Sequence, residues 1–195
     1  MRELVHYSLA VILSILLALG IGIGSAWWVM SRVPGSFRNG PWRHDPLTGS
    51  VAAGPYARAM VAKHLPLALS NSEAIYLVAE TDSSGNKLRC KDTYRIEGRD
   101  IEARWWSITC YGVDDFLVPN RQDRYSYNMA NLTRNADGTY TISVGQSERA
   151  GNWLPTGDGD NFRLVLRIYN PTPTVRDRLG TIHLPEIVRE DGSHE

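Results

Sequence analysis

The sequence lacks the residue patterns that mark most enzymes and metalloproteins. Its two cysteines are too few for a disulfide-rich scaffold or a zinc cluster, and its five histidines are scattered without metal-ligand spacing. Phosphate-binding loops, dinucleotide-binding glycine motifs and nucleophile elbows are also missing. We therefore predict no metal, no cofactor and no catalytic residues. Whether the protein is an enzyme stays open, and the absence of these motifs favours a protein without enzymatic activity.

An excess of charge of one sign is missing as well. The 21 basic residues balance the 21 acidic ones, which argues against a nucleic-acid partner because phosphate binding requires a basic stripe. Hydrophobic residues make up 43% of the chain, enough for a core and too many for a disordered protein. The length of 195 residues predicts one domain with at most a short appendage.

The N-terminus is a long apolar run. Between Leu4 and Ser31 the chain carries no Asp, Glu, Lys or Arg. A helix of about 20 apolar residues matches the hydrocarbon core of a bilayer, and Trp27 and Trp28 stand where indole rings prefer the headgroup layer. We predict one membrane-spanning helix within an N-terminal unit of residues 1–31.

A cleaved signal peptide is the alternative, because small residues occur at positions 24–26. The orientation is also open. Three arginines follow the run closely and one precedes it, which favours a cytoplasmic domain, yet long domains translocate largely regardless of charge. A short tail before an apolar helix resembles an uncleaved export signal, and we predict that the domain lies outside the cytoplasm.

From residue 74 onward the pattern is typical of strands. Short β-branched and aromatic runs alternate with turns rich in Gly, Asn and Asp, at a spacing of about 8–12 residues. The predicted strands are residues 74–79, 88–96, 103–111, 139–144 and 162–169. The pattern predicts a mainly β fold, an antiparallel, jelly-roll-like β-sandwich.

The predicted sandwich domain covers residues 51–186 and includes one short helix over residues 55–65, which begins at a proline and ends before another. Residues 32–50 are dense in Gly, Pro and Ser and are predicted to be a linker. Residues 187–195 are predicted to be a polar tail.

Cys90 and Cys110 fall in two predicted strands that flank a loop at residues 97–100. If these strands form a hairpin, the two cysteines come within reach of a cross-strand disulfide, which would indicate an oxidising compartment. The alternative is a pair of buried thiols that behave as small hydrophobic residues.

Aromatic and arginine residues are the strongest binding signal in the chain. They include Arg104-Trp105-Trp106, Tyr111, Arg124-Tyr125, Trp153 and Arg167-Ile-Tyr169. Strand alternation places Trp105 and Trp106 on opposite faces, so one belongs to the core and the other is a candidate platform for a sugar or a protein partner. Burial of both is the alternative. Arg124 and Tyr125 are further candidates.

Several of these segments resemble a known family. The matching motifs are Pro55–Ala59, residues 73–76, Cys90 with Tyr94–Gly98, Ala103–Thr109, Gly151–Pro155 and Leu164–Tyr169. Together they resemble the bacterial family called domain of unknown function 1214, over residues 55–170, in a short membrane-anchored form. The resemblance implies an antiparallel β-sandwich without established activity. The disulfide is not something that the family implies, because an apolar residue is usual at the position of Cys110.

The resemblance also implies a partner. The family domain accompanies a second uncharacterised domain, numbered 1254, either in one longer chain or in a separate membrane protein. This short chain resembles the separated form, in the bacterial inner membrane with its domain in the periplasm. Asn152 and Trp153 are the best surface candidates, because a Trp in a constrained loop between Gly151 and Pro155 is typical of recognition. Closure of the end of the sandwich by Trp153 is the equal alternative.

Three functional hypotheses follow. The first is a single-pass envelope protein whose sandwich is a protein-interaction or assembly module. The second is a glycan-binding module, or an accessory to an envelope carbohydrate enzyme, that uses exposed Trp and Tyr rings. The third is an enzyme that uses Asp114 or Asp115 with Arg124, although the sequence places no base, orienting group and pocket together.

Overall fold

The computed structural model describes residues 2–30, 36–46, 48–50, 53–55, 58, 62 and 69–190. Within these residues the chain forms a long helix, two β-sheets and a short helix. The helices are α1 (Arg2–Met30) and α2 (Pro173–Asp177). The strands are β1 (Phe37–Asn39), β2 (Trp42–His44), β3 (Ala74–Ala79), β4 (Tyr94–Arg99), β5 (Ala103–Gly112), β6 (Ser126–Asn128), β7 (Thr139–Val144), β8 (Trp153–Leu154), β9 (Phe162–Pro171) and β10 (Glu186–Arg189).

The N-terminal helix α1 contains an apolar segment, His6–Trp28, of 23 residues, none of which is buried inside the protein. A helix that is apolar on all sides has no polar face to turn toward water. Its length suffices to cross a bilayer. The helix is compatible with a membrane anchor and with a signal sequence, and length and composition do not distinguish the two.

The large sheet has six strands in the order β1-β2-β3-β9-β5-β6, and all neighbours are antiparallel. Strand β9 lies in the middle, with β3 on one side and β5 on the other. Leu166 of β9 lies opposite both Leu77 and Ile108, and all three side chains are completely buried. Because side chains alternate between faces, every second residue of these strands points into the core.

The small sheet has four strands in the order β10-β4-β7-β8. Ile96 of β4 lies opposite both Ile142 and Ile187, and all three are completely buried. These residues and those of the large sheet form one hydrophobic core. The predicted mainly β, two-sheet fold is therefore confirmed, although the short pair β7·β8 is parallel, so the small sheet is mixed.

An aromatic stack connects the two sheets at one end. The rings of Trp106 on β5 and Tyr140 on β7 stack with centroids 5.2 Å apart. The Trp106 indole donates to the Asp100 carboxylate over 3.2 Å, and Arg134 donates two bonds of 2.8 Å to the same carboxylate. These bonds from Arg134 hold the pKa of Asp100 below its usual value.

Three sequence predictions are corrected by the strand pairing. The predicted linker, residues 32–50, contains β1 and β2, which extend the large sheet; each has three residues, too few to display alternation. The predicted tail, residues 187–195, includes most of β10. The predicted hairpin around residues 97–100 does not form, because β4 and β5 belong to different sheets. The predicted helix over residues 55–65 lies mostly outside the described residues.

Gly98 provides a stability test of the interior. A Cβ at this position would lie 2.8 Å from the Tyr140 hydroxyl and 2.9 Å from its ring carbon. We expect Gly98→Ala to destabilise the fold by about 1–3 kcal/mol, because overpacking outweighs the better strand propensity of alanine. Urea unfolding of the full chain in mild detergent, followed by near-ultraviolet circular dichroism, measures this.

The matched control is Gly54→Ala, since no atom of the described residues beyond its two chain neighbours lies within 4 Å of the added Cβ there. Equal unfolding midpoints for the two variants would contradict the packing of Gly98 against Tyr140.

Candidate binding surface

The large sheet has a second face that points away from the core. Because Trp106, Ile108 and Cys110 of β5 face inward, the alternate residues face outward, and the same holds on β9 and β3. We call this surface the outer face. It includes Tyr76, Trp105, Ser107, Thr109, Tyr111, Arg163, Val165, Arg167 and Tyr169.

Arg167 is the centre of the outer face. Its guanidinium donates from Nη1 to Thr109 Oγ1 over 3.2 Å and from Nη2 to the Tyr111 hydroxyl over 2.8 Å. The guanidinium carbon lies 5.3 Å from the centre of the Tyr111 ring and 6.0 Å from that of Tyr76, within the range of cation–π attraction. Two hydroxyls and two rings therefore fix the orientation of this cation.

One part of the outer face is covered and another is open. On the β3 side Tyr76 is only 7% exposed, and its hydroxyl accepts a bond of 3.0 Å from Leu69 N, in the segment that leads into β3. On the β5 side Trp105 is 38% exposed, and Tyr111 and Arg167 are partly exposed. A ligand therefore has access at Trp105, Tyr111 and Arg167, whereas Thr109 of β5 and its neighbour Val165 of β9 are buried on the same face.

The two outward arginines of β9 have different electrostatic surroundings. Arg163 forms an ion pair with Asp115. Burial lowers the pKa of Arg163, and the nearby carboxylates of Glu80 and Asp114 oppose that shift. Around Arg167, burial raises the pKa of the Tyr169 phenol. Among the described residues, no ion pair joins Arg167 to a carboxylate.

The two neighbouring tryptophans lie on opposite faces, as predicted. Trp106 is completely buried, and Trp105 is exposed on the outer face opposite Tyr169. The alternative that both are covered is wrong.

Asn152 and Trp153 are not surface residues, so their interpretation as an exposed recognition site is wrong. Trp153 is 6% exposed, and its indole donates to Gly145 O over 3.1 Å. Its backbone nitrogen donates to the hydroxyl of Tyr127 on β6 over 2.9 Å. Since β6 belongs to the large sheet and Gly145 follows β7 of the small one, Trp153 closes the end of the sandwich, which was the alternative prediction.

Asn152 completes this closure. Its side-chain nitrogen donates to Thr133 O over 2.7 Å and to Thr141 O over 2.9 Å, and its oxygen accepts from Thr133 N over 2.9 Å. An amide with three partners fits a buried position. We call Asn152 and Trp153 together the clasp.

Arg124 and Tyr125 lie at the β6 edge of the large sheet. Arg124 donates to the Tyr127 hydroxyl over 2.7 Å, which connects it to the clasp. The Tyr125 hydroxyl donates to Asp123 over 3.0 Å. Since Arg124 precedes the residues opposite Thr109 and Ser107, it lies several residues along the sheet from Trp105. The structure therefore does not bring these candidates into one site.

The structure does not assemble the aspartates and Arg124 into a catalytic group. Asp115 pairs with Arg163, Asp114 accepts from Phe116 N over 3.2 Å, and Arg124 bonds to Tyr127. Among the described residues, no three metal-ligating side chains come together.

Both cysteines are free, buried thiols, which agrees with the alternative of two buried thiols and not with the disulfide. The hairpin that was expected to bring them opposite each other is also absent, since β4 and β5 belong to different sheets. Cys90 precedes β4, where its backbone nitrogen donates to Asp160 O over 3.1 Å and its thiol to Thr156 O over 3.3 Å. Cys110 lies on β5 opposite Leu164. Burial raises the pKa of both thiols.

Arg167, Tyr111 and Tyr169 belong to the outer face, and the sequence shows them among the conspicuous aromatic and arginine residues without predicting that they come together. Their residue types were conspicuous, and the alternation in Leu164–Tyr169 shows that Arg167 and Tyr169 share a face. The contact of Arg167 with Tyr76 and Tyr111 depends on the pairing of β9 with two strands that are distant in the sequence. Side-chain alternation alone does not predict that pairing.

Comparisons with known proteins show what this chain is similar to. A family model described as "Protein of unknown function (DUF1214)" matches residues 73–173, just over half of the chain. A comparison with curated proteins gives no match.

Among solved structures, the VPA0106 protein of Vibrio parahaemolyticus is similar, with 26% sequence identity and a TM-score of 0.59, over 72% of this chain and 36% of that chain. An uncharacterised protein of Burkholderia cenocepacia has 17% identity and a TM-score of 0.42, over 91% of this chain and 53% of that chain. The chain thus spans about a third of the first and about half of the second.

The clasp provides a second stability test. We expect Asn152→Ala to destabilise the fold by at least about 2 kcal/mol, since each buried polar group left unsatisfied costs about 1–3 kcal/mol. Urea unfolding of the full chain measures the loss. Asn131→Ala is the control, because the bond that this exposed side chain accepts from Asn128 N lies at the surface. A loss no larger than that of the control would show that Asn152 does not hold the sheets together.

Thiol reactivity tests the state of the cysteines. We expect the native chain to react slowly with Ellman's reagent, because burial limits both access and thiolate formation, and to show both thiols after unfolding in urea without a reductant. Ser147→Cys is the control, since residue 147 is exposed and adds one rapidly reacting thiol. Unfolded protein without reactive thiols would show a disulfide instead.

Proposed function

Since this chain belongs to the DUF1214 family, we propose that it is a protein-binding module whose binding surface is the outer face of the large sheet. The observation that carries the proposal is the group formed by Trp105, Tyr111, Arg167 and Tyr169 on the paired strands β5 and β9. Tryptophan, tyrosine and arginine are the residue types that dominate binding energy at protein interfaces. A sheet presents them with little loss of conformational freedom on binding.

The comparison with the Vibrio protein bears on the partner. That protein continues well beyond the region of similarity, since the match spans 36% of it. We propose that the partner of this domain is a separate membrane protein that carries the companion domain of unknown function 1254.

The N-terminal helix supports a location at a membrane. Its apolar segment of 23 residues exceeds the apolar region of about 7–15 residues that is usual in signal peptides. We propose that residues 1–31 are a retained single-pass anchor in the bacterial inner membrane and that the sandwich lies in the periplasm. An anchor restricts the domain to the plane where a membrane partner is found, which raises their effective concentration.

A glycan is the second candidate ligand, and the exposed ring of Trp105 favours it. Sugars stack on exposed aromatic rings at such surfaces. In this interpretation the chain is a glycan-binding module or an accessory to an envelope carbohydrate enzyme.

Site-specific photo-cross-linking tests the proposed surface. Ser107 lies on the outer face between Trp105 and Thr109 and is partly exposed. We expect a photoreactive amino acid at this position, in the full chain in its native membrane, to form one protein adduct of defined mass. Trp105→Ala in the same chain should reduce its yield several-fold, because a central aromatic anchor is lost.

The same photoreactive amino acid at Ser143 is the control, since Ser143 belongs to the small sheet. No adduct from position 107, or an identical adduct from both positions, would exclude the outer face as the protein-binding surface.

A further inference from the structure

Arg167 carries a charge that the described part of the protein does not neutralise. Arg163, four residues earlier on β9, has Asp115 as its counter-ion, whereas Arg167 has only the neutral hydroxyls of Thr109 and Tyr111. A guanidinium has five N–H donors, and these two bonds use two of them. A partly buried cation is costly unless a counter-ion pairs with it.

The surroundings of the neighbouring Tyr169 phenol agree with this. The charges that act on this phenol come from Arg167, Tyr76 and Tyr111, and no carboxylate is among them. The connection from β2 to β3, residues 45–73, contains two acidic residues, Asp45 and Glu73, one at each end. Glu73 is exposed and accepts a bond of 3.2 Å from the Ser70 hydroxyl, and neither of these two described residues forms an ion pair with Arg167.

The geometry of Arg167 suits a planar anion. Its orientation is fixed by bonds of 3.2 and 2.8 Å and by the rings of Tyr76 and Tyr111. A fixed guanidinium loses little entropy when it binds, and its parallel donors match the two oxygens of a carboxylate.

We propose that Arg167 binds a carboxylate side chain, Asp or Glu, in an acidic segment of the partner protein. This inference rests on the proposed function and names the chemistry of the partner at that surface. Trp105 and Tyr169 flank the carboxylate and contact the apolar part of the same segment.

An acidic peptide fits the outer face better than an acidic sugar does. A sugar ring needs an unoccupied aromatic face to stack on. Trp105 offers an exposed ring on the outer face, but the rings beside Arg167, those of Tyr111 and Tyr76, lie 5.3 and 6.0 Å from the guanidinium that they contact. A carboxylate needs only the remaining N–H donors of Arg167.

A labelled peptide tests the proposal directly. The probe is fluorescein-labelled hexaglutamate, titrated against the full chain in mild detergent and followed by fluorescence anisotropy. We expect binding that unlabelled hexaglutamate displaces and hexaglutamine does not. Arg167→Gln should weaken binding about tenfold or more. Arg167→Lys keeps the charge but loses the two parallel N–H donors of the guanidinium, so its affinity should lie between those of the unmodified chain and Arg167→Gln. Unchanged near-ultraviolet circular dichroism verifies the fold of each variant.

Arg99→Gln is the matched control, because it removes the same charge from an exposed residue of the small sheet. We expect its affinity to stay within twofold of the unmodified chain. Equal losses for the two glutamine variants, or no binding of hexaglutamate, would overturn the proposal. Stronger displacement by a galacturonate hexamer than by hexaglutamate would also overturn it, in favour of an acidic glycan.

The photo-adduct at position 107 distinguishes this inference from the proposed function. Loss of the adduct on Arg167→Gln, with retention on Arg99→Gln, supports both. An adduct that Arg167→Gln leaves at full yield would keep the outer face as a protein-binding surface and overturn the role of Arg167.

Discussion

The pairing of β9 with both β3 and β5 is the constraint on which the rest of the structure depends. Strand β9 pairs with β5 between Phe162 and Pro171, and with β3 over Leu164–Tyr169. Because side chains alternate along a strand, it sends Leu164, Leu166 and Ile168 into the core while it places Arg163 and Arg167 on the outer face. Core and candidate surface are therefore two consequences of one register, and a shift by a single residue would exchange them.

The clasp has a different place in this architecture. The large and small sheets share a core, and Asn152 and Trp153 add polar contacts to it that connect Tyr127 of β6 with Thr141 of β7 and the adjoining Gly145. Fully bonded buried polar groups fix the relative position of the elements that they join. The motif Gly151–Pro155 therefore has a structural explanation, and an aromatic residue in a Gly- and Pro-bounded loop is not by itself evidence of recognition.

Features that depend on neighbouring residues could be predicted from the sequence, whereas features that depend on residues remote in the sequence could not. Strands β3 and β7 have the predicted bounds because their residue types are locally typical of strands. The hairpin between β4 and β5 was wrong because closeness along the chain favoured a pairing that the two-sheet arrangement does not contain. The opposite faces of Trp105 and Trp106 follow from alternation, whereas the burial of Trp153 depends on Tyr127 and Gly145, which are remote in the sequence.

The order of strands in the large sheet also determines when the domain can assemble. Strand β3 ends at Ala79 and its neighbour β9 begins at Phe162, so their pairing closes a loop of more than eighty residues. Such non-local contacts form slowly. During synthesis, β3 and β5 have no central neighbour until most of the chain has left the ribosome. The folding of this domain therefore waits for its C-terminal portion, and a chain that stops before β9 lacks the middle of the large sheet, not its edge.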